Sequence, residues 1–252
     1  MYMEQKFRFL VQENQAGDCL PCTLEVFNLY VDSANVDWRI TTRQEVEAAI
    51  AQEAPLLKYL NNASYIRFCE KKASEKFNAL TDVEKLLQWT QTLKDWLPCF
   101  IFGVYELELV QKKDKDGNPI FDKDGNPVMY HRRKQENIMH LSGLFMFDAD
   151  HLKVNPREIY ERTLRPGFPW QVRLAHGTSS GHGCRLVCEA RPELGNIADN
   201  QICLARDLEL MGVVGSTGKP VVDDSCIDAT RISYCPRRKD IYFIDEINLF
   251  NF

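Results

Sequence analysis

The feature that most constrains this chain is an apolar run ending in two acids, Leu144-Phe145-Met146-Phe147-Asp148-Ala149-Asp150. Four large apolar residues in a row, closed by acids, read as a strand buried on both faces. In a strand, residues i and i+2 point the same way, about 7 Å apart at Cα. Asp148 and Asp150 are therefore expected side by side where the strand leaves the core. Carboxylates that close raise each other's pKa unless a cation lies between them. The pattern points to a divalent metal; an acid pair that only caps the next helix is the plainer alternative.

Residues further along the chain narrow the choice. A glycine-rich turn, Thr178-Ser179-Ser180-Gly181-His182-Gly183, precedes Arg185 at the start of another apolar strand. Hydroxyls and mobile backbone N–H groups suit a phosphate, and a fixed guanidinium pairs two phosphate oxygens. A tight hairpin with a surface Arg is the alternative. A third acid ends the apolar pair Val221-Val222 at Asp223, with Asp224 and Asp228 as competitors and Arg231 eight residues on. Acids for metal and cations for phosphate, in this order, favour nucleotidyl transfer over generic metal binding.

Other motifs fail on context. Gly177-Thr178-Ser179-Ser180-Gly181 matches a nucleophile elbow, but a strand follows it and no His occurs after His182. Gly212 to Gly218-Lys219-Pro220 lacks the spacing and the Ser/Thr of a phosphate loop. Cys19-Leu20-Pro21-Cys22 is a lone C-x-x-C without a second pair for zinc.

Composition sets the outer bounds. The chain has 252 residues, 44% hydrophobic and 27% charged, enough for one large core or two subdomains sharing an interface. Its nine cysteines are odd in number and scattered, which suits a reducing compartment. The start Met1-Tyr2-Met3-Glu4-Gln5-Lys6 has no signal-peptide core and no run reaches membrane length, so a cytoplasmic location without membrane contact is expected. Net charge is −5, but residues 131–252 balance 16 Lys and Arg against 16 Asp and Glu. Two local clusters, Arg132-Arg133-Lys134 and Arg237-Arg238-Lys239, are candidates for a phosphate backbone or a solvated face.

Strands are expected in the first forty residues, including Leu24 to Val31. Helices are expected from Thr42 to about Leu60 and from Val83 to Leu97, each opened by a capping box (Thr42/Glu45 and Thr81/Glu84). A strand follows from Cys99 to Val110. The tandem repeat Asp114-Lys115-Asp116-Gly117-Asn118-Pro119 and Asp122-Lys123-Asp124-Gly125-Asn126-Pro127 is turn chemistry, a solvated hairpin insertion over 111–130. From Ile138 onward the order is strand, helix, strand, strand, helix, strand, a split β-α-β pattern of ferredoxin-like or RRM-like type. The fold class is α+β: an N-terminal α/β subdomain over 1–110 and a catalytic subdomain over 111–252, together one core.

The ordered set resembles the archaeo-eukaryotic primase (prim-pol) superfamily, whose catalytic cores place an RRM-like sheet behind an N-terminal α/β unit. Asp148 and Asp150 match its D-x-D strand end, and Val222-Asp223 with Arg231 matches its later acid and basic residue. This favours Asp223 as the third acid. Where the family has an S-x-H strand start, this chain has Gly183 and Arg185, with His182 three residues early. The pattern from Ser180 to Arg185, with Asp223 to Asp228 and Arg231, is closer to the VirE N-terminal-domain-like branch, which includes CRISPR-associated primase-polymerases. The resemblance implies a template-directed DNA primase-polymerase. Asp148, Asp150 and Asp223 would hold two Mg²⁺ or Mn²⁺ ions, and Ser180, Gly181, His182, Arg185 and Arg231 would bind the dNTP or NTP. Implied partners are a single-stranded DNA template and primer, with a helicase or CRISPR and mobile-element proteins beyond them. A non-catalytic nucleotide-binding relative, a metal-dependent nuclease and a DxD glycosyltransferase are the competing classes. Family members often carry further domains, so whether the chain is whole or a fragment of a longer protein stays open.

Overall fold

The structure is a computed structural model and describes residues 7–250, apart from the side chains of Asp224 and Ser225. It is α+β, with antiparallel sheets and helices on several faces. Met1 to Lys6, Asn251 and Phe252 lie outside the described residues. No described helix is long and apolar enough to cross a membrane.

The N-terminal region opens with β1 (Leu10–Gln12) and β2 (Leu20–Pro21). The expected strand over Leu24 to Val31 is instead a helix, α1 (Leu24–Val31). Its run alternates well enough for a strand, but Leu24, Phe27 and Val31 also repeat at helical spacing. The Thr23 hydroxyl, accepting from Val26 N–H, starts the first turn. Next comes α2 (Ala34–Ala51), beginning eight residues before the expected Thr42. Buried Val36 and Ile40 extend its apolar stripe upstream, and a left-handed Glu53 (φ 52°), with Ala54 N–H donating back to Ala49 O, ends it well short of Leu60. Short α3 (Leu57–Leu60), α4 (Ala63–Lys72) and α5 (Glu75–Asn78) lead to α6 (Asp82–Asp95), where the Thr81/Glu84 capping box is present in full.

The region expected as one strand from Cys99 divides into β3 (Cys99–Ile101), β4 (Val104–Leu107) and β5 (Leu109–Gln111). β6 (Met129–His131) pairs with β5, and the Asp-Gly repeats fold as exposed turns between them. The second long strand also breaks. β7 (Ile138–Leu141) pairs with β4, and Gly143, at φ +73°, turns the chain into β8 (Leu144–Ala149).

β8 is followed by α7 (Arg157–Arg162), β9 (Val172–Gly177), β10 (Cys184–Glu189) and α8 (Ile197–Asp207), capped reciprocally by Asn196 and Asp199. β11 (Ser233–Tyr234), β12 (Ile241–Ile244) and α9 (Glu246–Phe250) finish the chain. The acid-bearing sheet has the order β12-β9-β10-β8. Val222 adds an antiparallel bridge to Ala149 at its open edge. The other four-stranded sheet has the order β11-β3-β1-β2, so a strand from the C-terminal half completes an N-terminal sheet.

Alternation along β8 and β10 divides the core. Phe145, Phe147, Leu186 and Cys188 face α7 and α8, packing on Ile159, Tyr160 and Leu204. Leu144 and Val187, with Leu174 of β9, face the other way and meet Phe9, Phe27, Phe100 and Phe102. Truncating a ring in such a cluster to Ala costs about 3–5 kcal/mol. Cys19 and Cys22 are buried in two different clusters as apolar core thiols.

Ion pairs lock the two halves together. Glu189 of β10 accepts from Arg8 (2.6 and 2.5 Å) and from Arg173 (2.8 Å), and Arg173 also holds Asp245 at 2.6 Å. The cluster at Arg237 and Arg238, a candidate for a phosphate backbone or a solvated face, is similarly engaged. Arg237 is buried against Asp240, Thr41 and Gln44, and Arg238 forks onto Asp32. It is a clasp onto α1 and α2. Because Glu189 is only partly exposed between two guanidinium groups, Glu189→Gln is expected to lower unfolding free energy by about 2 kcal/mol in urea titration. A loss of a few tenths would mean the network behaves like isolated surface pairs.

Candidate functional site

Register assembles the site. Asp148 of β8, Arg185 of β10 and His176 of β9 are direct cross-strand partners, so their side chains share one face of the sheet. Arg185 Nε and Nη2 both donate to Asp148 Oδ2, at 2.9 and 2.8 Å. Its Nη1 donates to Ser233 Oγ at 3.3 Å, across to β11 of the other sheet. His176 Nδ1 lies 2.7 Å from Gly177 O, which can only accept, so Nδ1 carries the proton. Nε2 then accepts from the Ser233 hydroxyl at 3.1 Å. One buried chain of bonds thus runs from Gly177 through His176, Ser233 and Arg185 to Asp148.

The pair is shielded from solvent, with side-chain exposures of 11% for Arg185 and 5% for Asp148. Burial opposes the Arg185 charge, but the Asp148 carboxylate outweighs it and holds the guanidinium above its ordinary pKa. His176 is pushed down to about 3, chiefly by burial and further by Arg185, against its bond to Gly177 O. It is therefore neutral across the physiological range.

Asp148 Oδ1 has no hydrogen-bond partner although it is buried. Asp223 reaches the same place from the sheet edge, where Asp223 N–H donates to Asp148 O at 3.1 Å. Ligand atoms of Asp148, Asp223 and Cys226 all lie within 4.8 Å of one another. Among the described residues this is the group able to hold a metal ion, and the orphaned Oδ1 gives a cation something to satisfy. Cys226 was not foreseen in the sequence. Its thiol donates to Asp223 Oδ2 at 3.7 Å, and burial, with Asp148 and Asp223 nearby, pushes it up to about 12.

Asp150 stands apart from that group. β8 ends at Ala149, Asp150 N–H still donates to Val221 O at 2.8 Å, and His151 beyond it takes a left-handed φ of 57°. Asp150 Oδ1 accepts from His151 N–H at 2.9 Å and lies against the glycine turn. A Cβ on Gly183 would fall 2.8 Å from that oxygen and 2.7 Å from Ala149 O, so only glycine allows the approach. Asp150 and Asp223 do line one open cleft of about 300 Å³, with Lys219.

The remaining sequence candidates divide. Ser180 Oγ bonds Thr178 Oγ1 (3.0 Å) inside the turn, Gly181 takes φ +80°, and His182 is exposed. Arg231, 41% exposed, donates to Asp223 Oδ2 at 3.1 Å. Arg185 is committed to Asp148 and Ser233. Asp228 accepts from Thr230 N–H and Oγ1 and forms a local turn. The side chain of Asp224 lies outside the described residues.

Two cations from the N-terminal helices carry no signal in the sequence. Arg43 of α2 donates to Ser179 Oγ at 3.3 Å. Lys94 of α6 stands over the Tyr234 ring, 4.8 Å from its centroid. Burial lowers its pKa, as do the charges of Arg43 and Arg185, while Asp150 raises it. No local pattern marks either residue, because each reaches the site only through helix packing. No protein-family model matches the chain, and no curated protein or solved structure matches it significantly.

Two outcomes are expected. Since His176 binds its proton near pH 6.5 when unfolded and only near 3 when folded, its share of stability is complete above about 6.5. That share is lost as pH falls towards 3, by about 1.4 kcal/mol per pH unit. His176→Gln should flatten this slope by one proton in denaturation profiles, and an unchanged slope would refute the assignment. For the thiol, cadmium titration should raise the ultraviolet thiolate–metal absorption in the wild type above the level of Cys226→Ser, whose remaining signal comes from the partly exposed Cys69 and Cys203.

Proposed function

We propose that the chain is the core of a template-directed primase-polymerase, transferring nucleotidyl groups from dNTPs or NTPs onto a primer end or an initiating nucleotide. The observation that carries this reading is the orphaned Asp148 Oδ1 beside Asp223, with the other Asp148 oxygen pinned by Arg185. The strand order adds support. β10 lies between β8 and β9, and Val222 lies on the far side of β8, as in an RRM-like split β-α-β unit.

Asp148 and Asp223 would hold a divalent ion, Mg²⁺ or Mn²⁺, and Asp150, on the same cleft as Asp223, would serve a second. Bound there, such ions supply Lewis acidity, activating a hydroxyl nucleophile and stabilising a leaving pyrophosphate. The chain's own residues do the positioning. Arg185 orients the Asp148 carboxylate, and neutral His176 keeps the Ser233 hydroxyl aimed so that its oxygen accepts from Arg185. Arg231 and Lys94 offer the positive charge that a triphosphate requires. The Ser180-Gly181-His182 turn, held against α2 through Ser179, would receive the phosphates. Cys226 adds a softer ligand, which suits manganese better than magnesium.

A second reading rests on the same ion pair. Arg185 could neutralise Asp148 permanently, giving a non-catalytic module that only binds nucleotide or nucleic acid. The deciding experiment is gel-resolved incorporation on a single-stranded template, with and without primer, in Mn²⁺. Asp223→Asn removes a ligand without orphaning a buried cation, so it is the cleaner variant. It should abolish incorporation and weaken manganese binding by calorimetry while keeping the wild-type melting temperature. Asp148→Asn should do the same at a stability loss of about 3 kcal/mol, because Arg185 loses its buried partner. Wild-type protein that incorporates nothing, or an active Asp223→Asn, would overturn the polymerase reading.

A further inference from the structure

The helical face formed by α2, α4 and α6 carries an open groove of about 530 Å³. Four cations, Arg39, Arg67, Lys71 and Lys72, line it together with Trp38 and Trp96. None of the described lining residues is a carboxylate, on a chain whose net charge is −5. Trp38 is 43% exposed and Trp96 61%, whereas Trp89 at the groove floor is buried. Two tryptophans held open to water are not explained by packing. Arg39 Nη1 donates to Trp96 O at 2.7 Å, fixing the end of α6 against α2. Helical spacing sets Arg67 and Lys71 one turn apart on α4.

Cations interleaved with exposed aromatic rings are what single-stranded nucleic acid requires: charge for the backbone and flat apolar faces for unpaired bases. Duplex binding would not use the rings, because paired bases are already stacked. We infer that this groove binds single-stranded nucleic acid, with bases stacking on Trp38 and Trp96 and phosphates following Arg39, Arg67, Lys71 and Lys72. The same helices continue to the acid site. Arg43 lies one turn beyond Arg39 on α2 and touches the glycine turn, and Lys94, two residues before Trp96, stands over Tyr234 within electrostatic reach of Arg43, Arg185 and Asp150. The groove therefore delivers a strand towards Asp148 and Asp223. It deepens the polymerase reading by giving the template a path, although binding itself needs no metal and no catalysis.

The test is fluorescence anisotropy with a labelled oligothymidylate of about 16 nucleotides, in EDTA, across a salt series. Trp38→Ala with Trp96→Ala should weaken binding at least about tenfold. Arg67→Glu with Lys71→Glu should weaken it and flatten the dependence of affinity on salt, by about one unit of slope for each phosphate no longer neutralised. These side chains are exposed, so melting temperatures should stay at the wild-type value. Equal affinity in wild type and both double variants overturns the inference. So does tight polyglutamate binding with no oligonucleotide binding, which would make the groove a protein-docking face. Asp223→Asn should bind the oligonucleotide normally while losing incorporation, so the groove and the chemistry can fail separately.

Discussion

The pair of hydrogen bonds from Arg185 to one oxygen of Asp148 is the interaction on which the site is built. Burying two opposite charges is expensive, and their attraction offsets the desolvation only when the remaining donors and acceptors are satisfied. Arg185 meets that condition through Ser233, and Ser233 through His176. Asp148 meets it by half: one oxygen has two donors and the other has none. A carboxylate held rigidly on one side and left open on the other is poised for a cation, and Asp223 and Cys226 complete the set around it.

The same chain of bonds joins the two sheets. Ser233 lies on β11, which pairs with β3, while His176, Arg185 and Asp148 lie on β9, β10 and β8. Below this polar row, Leu144, Leu174 and Val187 pack on the phenylalanine cluster of the first sheet. The apolar contacts set the distance between the sheets, and the polar row sets their alignment at the site. Glu189, with Arg8 and Arg173, and Arg237, with Gln44 and Thr41, repeat that joining at other points. Positions that resemble a nucleic-acid patch in the sequence, Arg237 and Arg238, are consumed by this clasp. Exposed cations Arg67, Lys71 and Lys72 do gather on α4, in a region where the linear charge pattern is unremarkable.

Much of the acid sheet could be read from local signals. The apolar run into Asp148, the Asn196 cap of α8 and the Thr81/Glu84 box of α6 each depend on neighbours within a few residues, and each formed as expected. Misreadings arose where two periodicities competed, as in Leu24 to Val31, or where a glycine divided a long apolar stretch, as at Gly143. Asp150, expected to share one metal site with Asp148, lies outside the group that Asp148 forms with Asp223 and Cys226, and the chain turns left-handed just beyond it at His151.

By itself the sequence determined which segments carry acids, which carry the glycine turn, and that both end buried strands, because strand alternation and turn chemistry act over a handful of residues. It could not determine that Arg185 would face inward onto Asp148, that Cys226 would join the acids, or that Lys94 and Arg43 would reach the site from distant helices. Those relations depend on cross-strand register and on how helices pack across sheets. Both are decided by the sum of many weak contacts between residues far apart in the chain, so no local pattern encodes them.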